Sequence, residues 1–175
     1  MSEIPEPKRC IEILKENGCP EAVINHCIAV RDLAVKIAEK TNANMKLVEA
    51  GALLHDLGRS KTHGITHGVK GANLAKKIGL PQEIINIIER HVGAGIPKEE
   101  AIKLGLPGKD YIPLTLEEKI ITHADNLIQR GKKQKVEKEV NKALRKGQKN
   151  HAKRLLELHR ELSTVCGIDI NDIDF

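Results

Sequence analysis

Apolar residues recur at helical spacing along almost the whole of this 175-residue chain, and no stretch alternates in the manner of a β-strand. One face of the stretch from 20 to 37, for example, carries Val23, Cys27, Val30, Ala34 and Ile37. The chain contains a single Tyr, a single Phe and no Trp, so its core must be built from Leu, Ile, Val and Ala. These residues suit a fold of packed helices better than a β-sandwich, whose core is rich in aromatic residues. The sequence therefore predicts an all-α fold.

Capping residues mark where several of the predicted helices begin and end. Gly18 is expected to end a first helix over 7–17, and Pro20 is expected in the first turn of the second. Asn44 is expected to cap a third helix that carries LVEAGALLHDLG, and Thr115 to cap a seventh through a T-x-x-E capping box. Because the interior of the third helix is nearly all apolar, we expect it at the centre of the fold.

The composition changes after Gln129. Residues 130–154 contain eleven Lys or Arg and two Glu, a net charge of +9, whereas the whole chain carries +5. We expect one helical domain over 1–129 and a basic helical hairpin over 130–175 packed on it. The apolar stripe expected to pack this hairpin consists of Leu144, Leu155, Leu158, Leu162 and Val165. A basic helical segment of this kind either binds a polyanion such as RNA or presents a solvated face, and both interpretations remain open.

Several classes of protein do not fit the sequence. No apolar run approaches the roughly 18 residues that a membrane span needs, and the N-terminal MSEIPEPKRC lacks the apolar middle of a signal peptide. The four Cys form no C-x-x-C pair, which favours reduced, buried thiols in a cytoplasmic protein. No membrane partner is expected. The chain has no P-loop and no nucleophile-elbow motif, and it has too few aromatic rings to stack the bases of a single strand.

Four side chains of metal-ligand type fall at apolar helical positions: His26, His55, Asp56 and Asp125. Burying such groups without partners would cost several kcal/mol, and a shared divalent cation removes that cost. Each residue alone has an ordinary structural explanation, but all four pointing to one interior indicate a metal site. Two imidazoles and two carboxylates suit Fe, Mn, Co, Ni or Zn, and less obviously Mg.

The order H…HD…D, with His55-Asp56-Leu57-Gly58 as a variant of H-D-I-G, resembles the HD superfamily of metal-dependent phosphohydrolases and its HDIG subgroup. The sequence is similar in this respect to the HD proteins that hydrolyse dinucleoside tetraphosphates. This resemblance implies a helical bundle with a central metal and the four residues above as its ligands. It also implies a second ion, held by His67 and His91, with Asp56 as the bridge. The other helical or loop histidines, His63, His123, His151 and His159, are expected outside the ligand set, with His151 and His159 on the surface.

The expected activity is hydrolysis of a phosphate ester or anhydride, with a nucleotide as the phosphorylated small-molecule substrate. Asp56 is also the expected proton acceptor, an assignment that follows from the resemblance. Arg59 and Lys61 follow the motif and either hold phosphate oxygens or belong to a solvated loop. Two alternatives remain: a non-catalytic module that binds a nucleotide or RNA, and a dinuclear-iron oxygenase with the same ligands.

Overall fold

Helices build nearly all of the structure, and the prediction of an all-α fold is confirmed. The computed structural model describes residues 2–175, which form nine α-helices, two 3-10 helices and one short β-ribbon. The α-helices are α1 Pro7–Glu16, α2 Glu21–Ala38, α3 Met45–Leu54, α4 His67–Lys77, α5 Gln82–Arg90, α6 Lys98–Lys103, α7 Leu116–Leu127, α8 Val136–Arg145 and α9 Lys149–Cys166. The 3-10 helices are Leu57–Ser60 and Ile170–Asp172, and the ribbon pairs β1 Ile128–Gln129 with β2 Lys132–Lys133. Within residues 2–175, no helix has the length and apolar character that crossing a bilayer requires.

Helix α3 lies at the centre, as its apolar interior predicts. It packs against α1, α2, α5 and α7, and its Leu53 and Leu54 are fully buried. A Cβ at Gly51 would stand 2.6 Å from Ile87 of α5 and 2.8 Å from Ile121 of α7. The absence of a side chain at Gly51 therefore lets three helices approach closely around the centre of the fold.

The predicted caps form at α3 and α7. The side chain of Asn44 accepts a hydrogen bond from the Leu47 N–H at 3.2 Å, and that of Thr115 accepts one from the Glu118 N–H at 3.2 Å. The Glu118 carboxylate accepts from the N–H of Leu114 at 2.7 Å, one residue before the cap. Pro20 differs from the prediction because it precedes α2 as its capping residue and does not lie in its first turn.

Two further expectations on secondary structure are wrong. Helix α3 ends at Leu54, so His55 and Asp56 lie in the turn between α3 and the following 3-10 helix, not inside a helix. Two short strands are present where none were predicted. Their two residue pairs are too few to produce an alternating pattern, and the turn between them is closed by Arg130 and Gly131 at positive φ.

Helices α8 and α9 form the expected basic hairpin, but α8 buries a different face from the one predicted. Leu144 is 50% exposed, and Val165 at the end of α9 is also exposed. The apolar side of α8 consists instead of Val136, Val140 and Ala143, a spacing of four and three residues that places Leu144 off the face. The residues of α9 that do pack inward as predicted are Leu155, Leu158 and Leu162.

The C-terminal segment docks on the hairpin. Ile170 and Ile173 are buried in the same hydrophobic core as residues of α1 to α5 and α7 to α9. The ammonium group of Lys133 donates hydrogen bonds to the carbonyls of Asn171 at 2.9 Å and Ile173 at 2.6 Å. This lysine therefore holds the chain end in place and is not a free surface charge. The division into residues 1–129 and 130–175 stays a prediction, since one continuous core joins the two parts.

Two glycines set the distance between the turn at Asp56 and helix α4. A Cβ at Gly58 would overlap the carbonyl oxygen of His67, and a Cβ at Gly71 would lie 2.8 Å from the Gly58 nitrogen. The 3-10 helix and α4 thus touch through their backbones. Because α4 begins at His67, this contact positions His67 relative to Asp56.

We expect Gly58→Ala to lower the free energy of unfolding of the metal-free protein by about 1–3 kcal/mol, the range for overpacking a tight contact. The added methyl group would have to displace the backbone of α4. Urea unfolding followed by circular dichroism measures the effect. Gly64→Ala is the matched control, because a Cβ there meets only Thr62 at an ordinary 3.5 Å. Equal stability of the two variants would contradict the role given to Gly58.

Candidate metal centre

Three side chains from separate parts of the fold meet on one side of the centre. His26 comes from the middle of α2, His55 directly follows α3, and Asp125 lies near the end of α7. Their ligand atoms lie within 4.8 Å of one another. Asp125 Oδ1 is 2.8 Å from His26 Nε2 and 3.4 Å from His55 Nε2. This first triad could hold a metal ion with one carboxylate and two imidazole ligands.

A second triad lies beside the first and consists of Asp56, His67 and His91. His67 begins α4 and His91 directly follows α5, two helices that pack against each other. Asp56 Oδ1 is 3.4 Å from His67 Nε2 and 3.2 Å from His91 Nε2. All three residues are buried.

Asp56 faces both triads, one with each carboxylate oxygen. Its Oδ1 points to His67 and His91, while its Oδ2 is 3.5 Å from His55 Nε2 and 3.7 Å from His26 Nε2. The structure thus brings together all six residues predicted as metal ligands and places Asp56 between the two groups.

Backbone contacts orient three of the imidazoles. In each, Nδ1 lies at hydrogen-bond distance from a carbonyl oxygen three residues earlier in the chain. The pairs are His55 with Ala52 at 2.6 Å, His67 with Gly64 at 2.9 Å and His91 with Ile88 at 2.7 Å. Because a carbonyl oxygen only accepts, each Nδ1 carries the proton and donates it. In the neutral ring, Nε2 then presents a lone pair to the centre, as a metal ligand requires.

The polar atoms at the centre have too few protein partners. His55 Nε2 and Asp56 Oδ1 are buried and accept no hydrogen bond from the described residues. His67 Nε2 and His91 Nε2 stand 3.0 Å apart, and with both Nδ1 atoms protonated their lone pairs face each other. Burying such acceptors without a donor is costly, and a divalent cation would satisfy them together. The residues therefore fit a metal, and the four imidazoles favour a transition metal over Mg²⁺.

The pKa shifts of the buried acids and bases reflect the same concentration of charge. Without a metal ion, burial opposes ionisation of Asp56, but the charge of a protonated His55, and then His67 and His91, outweigh it and hold the pKa of this carboxyl well below its usual range. The pKa of Asp125 is lowered as well, since His55 and His26 outweigh its burial. Both carboxylates are therefore ionised at neutral pH and ready to bind a cation.

The two cations predicted to act on phosphate differ in position. Arg59 Nε is 3.0 Å from Asp56 Oδ2, and the Arg59 guanidinium also donates to the carbonyl of His63 at 3.3 Å. Lys61 directly follows the 3-10 helix as an exposed residue, and its side chain makes no hydrogen bond or ion pair with the described residues. Arg59 thus belongs to the site, while Lys61 lies on the surface beside it.

Sequence reasoning missed Cys27, whose Sγ lies within 4.8 Å of ligand atoms of His55 and Asp56. Burial raises the pKa of this thiol, so it packs against the centre as a neutral group. Cys27 follows His26 and lies on the apolar face of α2, and this position could have revealed it.

The expectation that His159 lies on the surface is wrong. His159 is buried on α9, with Nδ1 at 2.8 Å from His123 Nε2 and Nε2 at 2.8 Å from Asp169 Oδ1. Burial lowers the pKa of His123 to about 3, so this ring is neutral. The series of contacts from His123 through His159 to Asp169 joins α7 to α9 and to the C-terminal segment. His151 is half-buried, and His63 is exposed in its loop as predicted.

Comparisons with known proteins identify the family of the chain and match its fold. The HD domain family profile matches residues 23–129, a range that contains all six residues of the two triads. A tRNA (cytidine(56)-2'-O)-methyltransferase of Thermoplasma volcanium is 46% identical over 170 residues, which are 97% of this chain and 50% of the relative. The chain therefore spans half the length of that methyltransferase.

Two further matches extend over almost all of the matched protein. An uncharacterized protein of Methanocaldococcus jannaschii is 46% identical over 167 residues, 91% of this chain and 98% of the relative. The HD domain of the Listeria monocytogenes phosphodiesterase PgpH, solved with cyclic-di-AMP, superimposes with a TM-score of 0.55 at 19% identity, over 95% of this chain and all of that domain. At this identity the structural match shows a shared fold. From the profile match over residues 23–129 and the H…HD…D residues within it, we conclude that the chain belongs to the HD domain family.

Proposed function

We propose that the protein is a metal-dependent phosphohydrolase that cleaves a phosphate ester or anhydride of a nucleotide. The observation that carries this proposal is the position of Asp56 between two triads of potential metal ligands, with one oxygen toward each. We further propose that the two triads bind one divalent transition-metal ion each. Membership of the HD domain family and the fold shared with a phosphodiesterase support the same activity.

Some of the predicted ligands are buried, and others are partly exposed on the side from which a substrate could enter. Asp56 is 3% exposed and His55 is fully buried, whereas His26 and Asp125 are 28% and 20% exposed. A substrate phosphate would therefore approach from the side of His26 and Asp125. Divalent ions at the two triads would lower the pKa of a bound water toward neutrality and polarise the phosphoryl group.

Arg59 and Asp56 have distinct roles in this proposal. Arg59 holds the Asp56 carboxylate through its Nε and lies partly exposed beside it. A guanidinium in this position can also donate to the oxygens of a bound phosphate. Asp56 accepts the proton of the attacking water once the Arg59 contact has fixed its orientation. Lys61 would contribute only through its charge, by attracting an anionic substrate.

Replacing Asp56 by Asn should lower kcat for phosphate-ester hydrolysis by about 100-fold or more, equivalent to about 2.7 kcal/mol of barrier. The amide cannot replace a carboxylate as bridge or as proton acceptor. We suggest loading metal-free protein anaerobically with Mn²⁺, Fe²⁺, Co²⁺ or Ni²⁺. Hydrolysis is then assayed on bis(p-nitrophenyl) phosphate, a dinucleoside tetraphosphate, cyclic-di-AMP and a short oligoribonucleotide.

His63→Ala is the control, because this histidine is exposed and outside both triads. Retained hydrolysis by Asp56→Asn would argue against the proposed activity. Oxygen uptake by the Fe²⁺-loaded protein without phosphate-ester cleavage would favour the oxygenase instead.

The metal content tests the assignment of two ions. Metal-free protein dialysed against Mn²⁺ should bind about two equivalents per chain, as in two-metal hydrolytic sites. His67→Ala and His91→Ala each remove a ligand of the second triad only, so each should lower the content to about one equivalent. His63→Ala should keep both. Elemental analysis measures the content, and one equivalent in the unmodified protein would refute the two-ion assignment.

A second proposed role is binding of RNA through the basic hairpin, and a specific feature of the surface favours it. The β-ribbon and α8 present a continuous set of exposed cations: Arg130, Lys132, Lys138, Lys142 and Arg145. The relative in Thermoplasma volcanium is named for a reaction on tRNA, and this chain matches half of it. RNA would contact these side chains through its phosphates.

The triple variant Lys132→Gln, Lys138→Gln, Lys142→Gln should weaken tRNA binding and flatten its salt dependence. Each lost phosphate contact lowers the slope of log K against log salt by about 0.7 to 0.9. Lys133 is left unchanged because it holds the C-terminal segment. Filter binding at several salt concentrations measures the slope. The matched control replaces Lys70, Lys76 and Lys77, which are exposed on α4; an equal effect of the two triple variants would show non-specific attraction only.

A further inference from the structure

A pocket of about 580 Å³ lies between the family domain, which is the part of the chain at 23–129 that matches the HD domain family, and the basic hairpin of α8 and α9. One wall comes from Ile65, from four residues between 92 and 96, and from α6 together with Leu104, which follows it. The other wall comes from residues between 147 and 154, where α8 turns into α9. The second wall lies outside the family match at 23–129. The volume falls in the range of sites that hold small organic ligands, about 300–1,000 Å³.

The pocket adjoins the metal centre through three links along the chain. Ile65 precedes His67 by two residues, and Val92 directly follows His91. The carbonyl of Gly93 accepts a hydrogen bond of 3.0 Å from the side chain of Asn126, the neighbour of Asp125. The pocket wall therefore includes the residue that directly follows His91, and a ligand in the pocket would lie close to the second triad.

The apolar part of the pocket consists of large side chains that the fold leaves uncovered. Leu104 is 49% exposed and Ile65 is also exposed, and both border the pocket with Val92. Apolar side chains grouped in a concave site indicate a ligand with an apolar face.

The polar part can hydrogen-bond a neutral ligand. Arg154 pairs with Glu100 through two contacts of 3.0 and 2.7 Å, so these two charges largely cancel while joining α9 to α6. The His151 ring lies against Gly93 and makes no hydrogen bond to the described residues. Burial, followed by the charge of Arg154, lowers the pKa of His151, and its neutral ring offers one donor and one acceptor. Lys103 and Lys149 complete the lining as cations.

From these features we propose that the pocket binds the nucleobase of a nucleotide whose phosphate lies at the metal centre. The inference rests on the proposed function and deepens it by naming the specificity site. A base has apolar faces for Leu104 and Ile65 and polar edges for His151. Lys103 and Lys149 suit further phosphates, whether those of a free nucleotide or of an RNA chain.

The kinetic test compares a substrate with a base and one without. Leu104→Asp and His151→Ala should each raise KM for a nucleotide diester by about tenfold or more, the usual range for losing one good contact in a specificity pocket. The ratio of nucleotide to bis(p-nitrophenyl) phosphate activity should fall accordingly. Leu144→Asp is the matched control, because Leu144 is equally exposed at 50% and lies outside the pocket. An unchanged ratio in both pocket variants would overturn the proposal.

A binding test without metal separates this inference from the proposed activity. Nuclear magnetic resonance of histidine-labelled, metal-free protein would follow the His151 ring during titration with the four ribonucleoside 5′-monophosphates, ribose 5-phosphate and a short oligoribonucleotide. We expect the base-containing probes to shift the His151 signal and Leu104→Asp to abolish the shift. Saturation by mononucleotides identifies a free nucleotide as the ligand, and a shift by the oligoribonucleotide alone identifies an RNA chain. An equal shift with ribose 5-phosphate, or no shift with any probe, would refute base binding even if hydrolysis is observed.

Discussion

The buried carboxylate of Asp56 is the group on which the arrangement of this protein depends. It lies among four imidazoles and one guanidinium, and each of its oxygens faces a different pair of histidines. A buried anion needs compensation from every side, so the helices that carry its partners must all end or pass at this point. The cost of burial and the capacity to bind metal therefore have the same origin: acceptors are concentrated in the interior, and divalent cations are the partners that suit them.

Close backbone packing makes this concentration of polar groups possible. Gly51 allows α3 to approach α5 and α7, and Gly58 lets the 3-10 helix touch the start of α4 at His67. The backbone carbonyls then fix three imidazoles of the centre, because each Nδ1 of His55, His67 and His91 donates to the preceding turn. The ligand atoms are thus oriented by secondary structure, and the centre needs few additional polar side chains.

The basic hairpin packs on the rest of the chain through apolar and polar contacts. Its buried residues join the central core, and the His123–His159–Asp169 contacts and the Glu100–Arg154 pair fasten it to the family domain. Its turn forms one wall of a pocket, and the other wall includes Val92, which directly follows His91 of the metal centre. The hairpin lies outside the segment that matches the HD domain family, so the pocket that we propose as a base site is not built from that segment alone.

The sequence by itself determined the helical class, the caps at Asn44 and Thr115, the family, and the six residues that converge. Helical spacing is a local pattern that shows which side chains leave water, the H…HD…D order is a pattern of residue types along the chain, and the family resemblance added His67 and His91. The tertiary structure decided what depends on contacts between distant segments. It placed His55 and Asp56 in a turn, exposed Leu144, buried His159, gave Lys133 a structural role and formed the pocket at His151. Such outcomes depend on which helices meet and at what rotation, and a one-residue change of phase on a helix turns a side chain by 100°, which local periodicity is too coarse to resolve.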